Sequence, residues 1–363
     1  MNFVFLINRT NLRNTYIILL LLFTLLLGCN QPAKNRYKIS PPPSDNEESF
    51  FEASIKALSD AIRSNPSVPE NYFKRATIFF QNRLFTESAK DINRATELSP
   101  NNAEYLLLKA KLLKESGEID KAWQIINEVE SYNLESVDYY LTKAELSVYK
   151  GDTIAARANL IKAQNLSPYN GNALFVNGLL FEQIENDTLQ AMSFYQKALM
   201  YNKVQPKAYS KIIDYLQTHA LPDSAIAMAD KASEVFPKEI KWKNTKAEIL
   251  RKSALYERAI QAYQSVFDQD STQVAALANM ADIRIGQKAY SAALKYLKKA
   301  ILIETKPAKL LYLAGFCNEK LQNYSESQLY YIKAVRANPE FQQAVEGQER
   351  TTRIINRAIG LTY

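Results

Sequence analysis

Residues 308–341, AKLLYLAGFCNEKLQNYSESQLYYIKAVRANPEF, show the pattern that decides the fold. Small residues stand at Gly315, Ser327 and Ala334, the aromatic Tyr331 lies between the last two, and Pro339 closes the stretch. Toward the N-terminus the same spacing recurs in seven further units of 34 or 35 residues. Because small side chains at fixed points let neighbouring helices approach closely, this period predicts a stacked array of helix pairs rather than a closed globule.

The alternation of small and aromatic positions with a closing proline resembles the tetratricopeptide repeat (TPR), and the resemblance covers residues 69–341. The units of this array are 69–102, 103–136, 137–170, 171–205, 206–239, 240–273, 274–307 and 308–341. The resemblance implies an all-α fold, a TPR α-solenoid in which about eight helix pairs form a right-handed superhelix. In such arrays the first helix of each unit lines a concave groove that holds peptides or partner helices.

Two short segments flank the array. Residues 44–65 begin with Ser44 and Glu47, which form the pattern of a capping box, and continue in register with the second helix of a repeat. We therefore expect an N-terminal half-repeat that covers the first unit. Residues 342–358 predict a C-terminal capping helix with a polar outer face.

Residues 1–29 read as an export signal. The apolar run Ile17 to Leu27 is shorter than the roughly 20 residues that a membrane-spanning helix needs. It ends in Leu26-Leu27-Gly28-Cys29, which looks like a bacterial lipobox, so the resemblance implies cleavage before Cys29 and acylation of that cysteine. An uncleaved anchor with Cys29 as a bystander is the alternative. We expect residues 30–43, with three consecutive prolines, to be a disordered tether.

Composition argues against catalysis. The chain has nine glycines, two cysteines and one histidine, His219, and it lacks a glycine-rich phosphate loop and any metal-ligand spacing. We expect no cofactor, no metal and no enzyme activity, and we expect Cys317 to be a buried free thiol. The formal net charge of +7 is spread over the chain without the clustered basic stripe of a nucleic-acid-binding protein.

The fifth residue of each unit normally points into the groove in this family. In the first half of the array these positions and their neighbours are apolar, and three later units carry lysine at the second position. We predict a groove lined by Phe73, Phe80, Leu107, Leu141, Phe175, Leu179, Lys207, Lys241 and Lys309. Such a groove suits an amphipathic helix or an acidic segment. Alternatively, the apolar strip is covered within the chain and the lysines are solvated and balanced by nearby carboxylates.

These observations predict a membrane-anchored TPR scaffold lipoprotein. We expect it on the outer membrane, because Asn30 replaces the aspartate that retains similar lipoproteins on the inner membrane, and we expect it to face the periplasm. Its partner would be a protein or peptide of the cell envelope, in outer-membrane protein assembly, secretion or recruitment of a cell-wall hydrolase. A dedicated subunit that binds one neighbour through its convex face is the alternative, and an enzyme hidden in the array is the third hypothesis.

Overall fold

The structure is a computed structural model that describes residues 44–360. The described part contains eighteen α-helices and no β-strand, so the predicted all-α class is confirmed. The signal segment, Cys29 and the tether lie outside the described residues, and the predictions made for them stay predictions.

The helices follow one another in pairs. The first is α1 (Ser44–Ser64), and the last is α18 (Gln342–Ala358). Between them lie α2 (Pro69–Gln81), α3 (Phe85–Leu98), α4 (Ala103–Glu115), α5 (Ile119–Glu130), α6 (Val137–Tyr149), α7 (Thr153–Leu166), α8 (Gly171–Gln183), α9 (Thr188–Tyr201), α10 (Pro206–Thr218), α11 (Pro222–Val235), α12 (Ile240–Lys252), α13 (Tyr256–Gln269), α14 (Val274–Gly286), α15 (Tyr290–Ile303), α16 (Ala308–Lys320) and α17 (Tyr324–Ala337). Each predicted unit thus contains one first helix, with an even number, and one second helix, with an odd number.

Local sequence explains many of the helix starts. Asn102, Ser136, Asp152, Asn170 and Asp187 each accept a hydrogen bond from the backbone N–H of a residue in the first turn. These side chains satisfy donors that the first turn would otherwise leave without a partner. At α2, α10 and α11 a proline occupies the first helical position, where its missing N–H costs nothing.

The turn between the two helices of every unit contains one residue in the left-handed region. Glycine occupies it in two units, as Gly117 (φ 79°) and Gly151 (φ 75°). The six non-glycine residues at this place have φ between 53° and 62°: Arg83, Asn186, Ala220, Ala254, Lys288 and Gln322. One backbone geometry therefore closes all eight turns, although the sequence marks it with glycine only twice.

Tyrosine rings pack where small residues leave room. A Cβ atom added to Gly178 would lie 2.4 Å from Tyr195 Cε1, and one added to Gly315 would lie 2.7 Å from Tyr331 Cδ1. Both tyrosines are buried, at 2% and 0% exposure. The small positions of the repeat are thus the places where a second-helix ring rests on the backbone of a first helix.

The described residues form two compact units, divided after Leu98. In the first, Arg75 of α2 joins the other two helices. Its Nη1 donates to Ser59 Oγ of α1 at 2.8 Å, and its Nε and Nη2 donate to the two carboxylate oxygens of Asp91 of α3 at 2.6 and 2.7 Å. This bidentate pair satisfies a carboxylate that is otherwise buried. The second unit holds α4 to α18.

Three findings bear on chemistry. Between residues 44 and 360, no helix combines the length and the apolar character needed to cross a bilayer. The same residues contain no group of three or more His, Cys, Asp or Glu side chains that could hold a metal ion. Cys317 is a buried free thiol, as predicted, and burial raises its pKa to about 12.

Candidate functional site

The apolar residues predicted to line the groove are mostly buried. Leu107, Leu141, Phe175 and Leu179 are only 8%, 7%, 4% and 2% exposed and belong to one continuous core of the second compact unit. Successive first helices α4, α6 and α8 contact one another directly, which covers the strip. The expectation that these four side chains face solvent is therefore wrong. They fit the alternative prediction, in which the apolar strip is covered within the chain.

The other two apolar candidates lie in the first compact unit. Phe73 and Phe80 of α2 are half-buried. The ring of Phe80 packs against that of Phe85, with 5.7 Å between the centroids. The Phe80 and Phe85 rings thus contribute to the packing of α2 against α3.

Lys207 takes part in an ion-pair network that crosses the first helices. Its Nζ lies 2.6 Å from Glu115 Oε1 of α4 and 3.5 Å from Glu145 Oε1 of α6. Lys114 of α4 pairs with the other oxygen of Glu145, and the Tyr149 hydroxyl donates to Glu145 Oε1 at 3.2 Å. The network connects helices from three units, and Lys207 is already occupied by two carboxylates.

The charges of this network support one another. Burial on its own would raise the pKa of Glu145, but the charges of Lys114 and Lys207 and the hydrogen bonds outweigh it and hold that pKa below its ordinary value. Burial would likewise lower the pKa of Lys207, but Glu145 and Glu115 outweigh it and raise that pKa. Glu145 and Lys207 therefore stay charged near neutral pH, as members of a paired and partly buried cluster.

The two remaining lysines have different surroundings. Lys241 Nζ lies 4.3 Å from the ring centroid of Trp242, which is a cation–π geometry. Lys309 is exposed on α16. The three predicted lysines therefore do not form one uniform basic strip, because each has its own local environment.

Exposed apolar side chains instead gather where the second helices of two units end. Leu166 is the last residue of α7, and Tyr169 follows it in the loop. Met200 and Tyr201 are the last two residues of α9, and Val204 follows them. We call these five residues the turn patch. Their exposures are 52%, 75%, 76%, 55% and 66%, in that order. Large apolar side chains that cluster in solvent mark candidate contact sites for other molecules.

Direct contacts hold the two halves of the turn patch together. The rings of Tyr169 and Tyr201 stack, with centroids 5.7 Å apart. Below them, Asn202 Nδ2 and Gln205 Nε2 donate to Asn172 Oδ1 at 3.2 and 2.9 Å. The patch is therefore one surface made by the C-terminal ends of α7 and α9.

The surroundings of the turn patch are basic. No Asp or Glu occurs in residues 153–181 or 188–213, whereas Lys162, Lys197 and Lys203 stand within one helical turn of patch residues and are exposed. Sequence reasoning missed the patch because these residues lie outside the groove positions. The signal that could have revealed it was the pair of long segments without Asp or Glu, 153–181 and 188–213, which contain Tyr169 and Tyr201 near the helix ends.

Comparisons with known proteins identify the repeats. Models described as tetratricopeptide repeat match residues 47–103 and 308–341. A search of the curated proteins finds no match.

A search of the solved structures finds chains that are similar to this one. The C-terminal part of a TPR repeat-containing protein from Cytophaga hutchinsonii is 14% identical, with a TM-score of 0.54, over 66% of this chain and 98% of that one. YrrB, described as a TPR protein with an unusual peptide-binding site, is 17% identical, with a TM-score of 0.41, over 52% of this chain and 97% of that one. The Cut9–Hcn1 structure is 18% identical, with a TM-score of 0.48, over 84% of this chain and 59% of that one. Together with the helix pairs described above, the two repeat models and the Cytophaga hutchinsonii structure show that the described residues form an all-helical α-solenoid of tetratricopeptide repeats, a fold that typically serves as a protein-interaction scaffold.

Proposed function

We propose that this chain is a non-catalytic scaffold lipoprotein, anchored to a bacterial membrane through acylated Cys29, that binds another protein of the cell envelope. The TPR fold supports protein binding, and the sequence Leu-Leu-Gly-Cys at residues 26–29 supports the anchor. Asn30 after the cysteine supports the outer membrane, and the lack of an acidic run directly after the cysteine supports a periplasmic orientation. Outer-membrane protein assembly, secretion and recruitment of a cell-wall hydrolase are the roles that such a scaffold would serve.

The turn patch is the observation on which the binding site rests. It offers stacked tyrosines and three apolar aliphatic side chains, from Leu166, Met200 and Val204, on a surface that the described residues leave exposed. Tyrosine and methionine are enriched in protein interfaces, and tyrosine buries a large area at a small entropic cost because it has only two side-chain torsions. We therefore place the partner on the ends of the second helices of the third and fourth units.

Charge defines the partner further. The patch is apolar, and the charged side chains closest to it in sequence are Lys162, Lys197 and Lys203, so we expect the complementary surface to be apolar with acidic residues around it. A protein with an amphipathic, acidic helix fits this description. The predicted groove is a weaker site, because four of its six apolar residues are buried and Lys207 is paired.

Site-specific photocrosslinking in the native bacterium tests this site. A photoreactive residue is placed at Met200 or Val204, and in parallel at Leu302 on α15, a leucine that is more exposed than either, at 88%. We expect Met200 and Val204 to capture one common protein that Leu302 does not capture. The purified partner should then bind the wild-type chain and lose at least about tenfold in affinity with Tyr169→Ser and Tyr201→Ser combined, since two central aromatic contacts are removed.

Other occupants of the patch would contradict the proposal. Sedimentation of the wild-type chain as a dimer that Met200→Ser dissociates would show that the patch binds a second copy. Binding of the chain without its acyl anchor to vesicles of phosphatidylglycerol and phosphatidylethanolamine, abolished by Tyr169→Ser with Tyr201→Ser, would show that it binds a membrane. Ser210 and Asn244 are the fifth residues of their units and so occupy predicted groove positions. If photoreactive residues there capture one partner and those in the turn patch capture none, the groove is the binding site.

The anchor has a separate test. Metabolic labelling with a palmitate analogue should mark the wild-type protein, and Cys29→Ala should abolish the label. Cys317→Ala is the matched control and should retain it, because that thiol is buried. Labelling that survives Cys29→Ala would place the modification elsewhere.

A further inference from the structure

A cavity of about 300 Å³ lies among α11, α12 and α13, helices that carry no residue of the turn patch. Its walls carry three basic side chains, Lys243 and Lys246 of α12 and Arg258 of α13, and one acidic side chain, Asp230 of α11. Ligand pockets in proteins begin at about this size. The excess of basic groups gives the cavity a positive lining.

Only one of these basic groups is neutralised. Asp230 Oδ1 lies 2.7 Å from Lys246 Nζ, so this carboxylate has a partner. Lys243 and Arg258 make no hydrogen bond or ion pair with any residue that the structure describes. Two cations thus face a concave site without a counter-charge, an arrangement that attracts anions.

The apolar wall of the cavity contains a further hydrogen-bond donor without a partner among the described residues, the indole of Trp242. Trp242 is 1% exposed, and its ring packs against Phe236 and Tyr209 at centroid distances of 5.9 and 6.0 Å. The indole N–H of Trp242 is buried and has no hydrogen-bond partner among the described residues. Indole can only donate a hydrogen bond, so an acceptor is the group that this wall lacks.

We propose that the cavity binds an oxyanion, a carboxylate or a phosphate, carried by a small organic molecule. The Arg258 guanidinium and the Lys243 ammonium hold the oxyanion through charge-assisted hydrogen bonds, and the Trp242 face contacts the apolar part of the molecule. A neighbouring cavity of about 530 Å³ shares Lys243, Gln261 and Ser265 and continues to Tyr296 of α15. The rest of the ligand extends along α13 into this space.

The two indole groups of the chain, Trp123 and Trp242, provide a direct readout. The full-length protein is labelled with ¹⁵N-tryptophan, and Trp123→Phe assigns the two indole signals. Inorganic phosphate and N-acetylglutamate are titrated separately. We expect a saturable shift of the Trp242 signal with at least one of them, at concentrations up to about 10 mM, and an unchanged Trp123 signal.

Variants distinguish a specific binding site from nonspecific electrostatic attraction of anions to the protein. Lys243→Gln with Arg258→Gln should weaken binding at least about tenfold, while helical content and melting temperature stay the same. Lys333→Gln with Arg336→Gln, an equal loss of charge on the exposed side of α17, should leave the affinity unchanged. Tighter binding of N-acetylglutamate would identify a carboxylate ligand, and tighter binding of phosphate would identify a phosphate ligand.

Two results would overturn the proposal. One is the absence of a saturable Trp242 shift with both anions. The other is equal loss of affinity in the two double variants, which would show that only the net charge matters.

Discussion

The first helices of the second compact unit pair their charges in two different ways. From α4 to α10, Lys207 reaches Glu115 across 92 residues of sequence, and the buried pair of Lys114 and Glu145 shares this network. From α11 to α18, ion pairs between helices instead join near neighbours. Examples are Lys246 with Asp230, Arg284 with Glu257, and Arg350 with Glu319, at separations of 16, 27 and 31 residues. In a repeat array each unit normally contacts only its neighbours, and stability is then nearly a sum over adjacent units. The C-terminal half follows this rule, whereas the network of the N-terminal half couples units that are not adjacent.

The largest expected effect breaks that network. Glu145→Gln keeps the shape of the side chain but removes the carboxylate that Lys114 and Lys207 share, and the Lys114 and Glu145 side chains are each 9% exposed. Leaving a buried charge without its partner should lower the free energy of unfolding by about 3 kcal/mol. Urea denaturation followed by circular dichroism measures it. Glu257→Gln in the C-terminal half is the control and should leave the midpoint nearly unchanged, because Glu257 pairs at the surface. Equal effects of the two variants would remove the distinction between the halves.

The next effect concerns packing. Gly178→Ala places a Cβ atom 2.4 Å from the buried Tyr195 ring, so the first and second helices of that unit must shift, and we expect a loss of about 2 kcal/mol. Gly286→Ala, at the end of α14, meets no atom within 4 Å and should instead stabilise the protein by about 0.5 kcal/mol. Thermal and urea unfolding of both variants measure the difference. If Gly178→Ala is neutral, the close contact of ring and backbone is not what requires a small residue there.

Acid titration tests the same network. The expected change in the free energy of unfolding is smaller here, because acid removes only part of the stabilisation that Glu145 contributes. The pKa of Glu145 is below its ordinary value of 4.5 in the folded chain. The stabilisation from Glu145 is therefore complete above the unfolded-state value and is lost as the pH falls through the lowered folded-state value. The stability gap between wild type and Glu145→Gln should be constant from neutral pH down to about 5 and should shrink below about 4. Urea midpoints across this range provide the measurement, and a gap that widens in acid would show that the sign is wrong.

The smallest effect lies in the turns, which are alike in both halves. Ala254 adopts φ 58°, a conformation that is unfavourable for residues with a Cβ atom. Ala254→Gly should stabilise the protein by about 0.5 kcal/mol, because relief of this strain exceeds the entropic cost of glycine. Gly117→Ala, with φ 79° and no atom within 4 Å of the added Cβ, should destabilise it by about 1 kcal/mol. Calorimetric melting temperatures report both changes, and a destabilised Ala254→Gly would show that the turn tolerates alanine without strain.

Much of the fold could be predicted from single residues because repetition amplifies weak signals. Gly315, Ser327 and Ala334 mark close contacts that recur in every unit, and the helices α18 and α1 occupy the flanking segments expected to cap the array. The left-handed turn was visible only at Gly117 and Gly151, since alanine, lysine or glutamine at the same place carries no such signal. The regular features of the molecule are thus encoded by local sequence, whereas the six turns without glycine carry no recognisable sequence signal.

The candidate sites were harder to predict. Leu107 and Phe175 occupy positions that face a groove in this family, but their exposure depends on how closely α4, α6 and α8 approach one another. The turn patch depends on Tyr169 meeting Tyr201 across two units, and the cavity at Trp242 depends on three helices that converge. None of these distances is expressed in a periodic pattern.

The sequence by itself determined the period, the pairing of helices and the positions that must stay small, because these follow from local steric limits that each unit repeats. The tertiary structure alone decided which charged groups became partners, which apolar side chains were covered and which remained in solvent. The physical reason is that hydrogen bonds, ion pairs and burial depend on distances between units, and small differences in helix approach change those distances without changing the repeat.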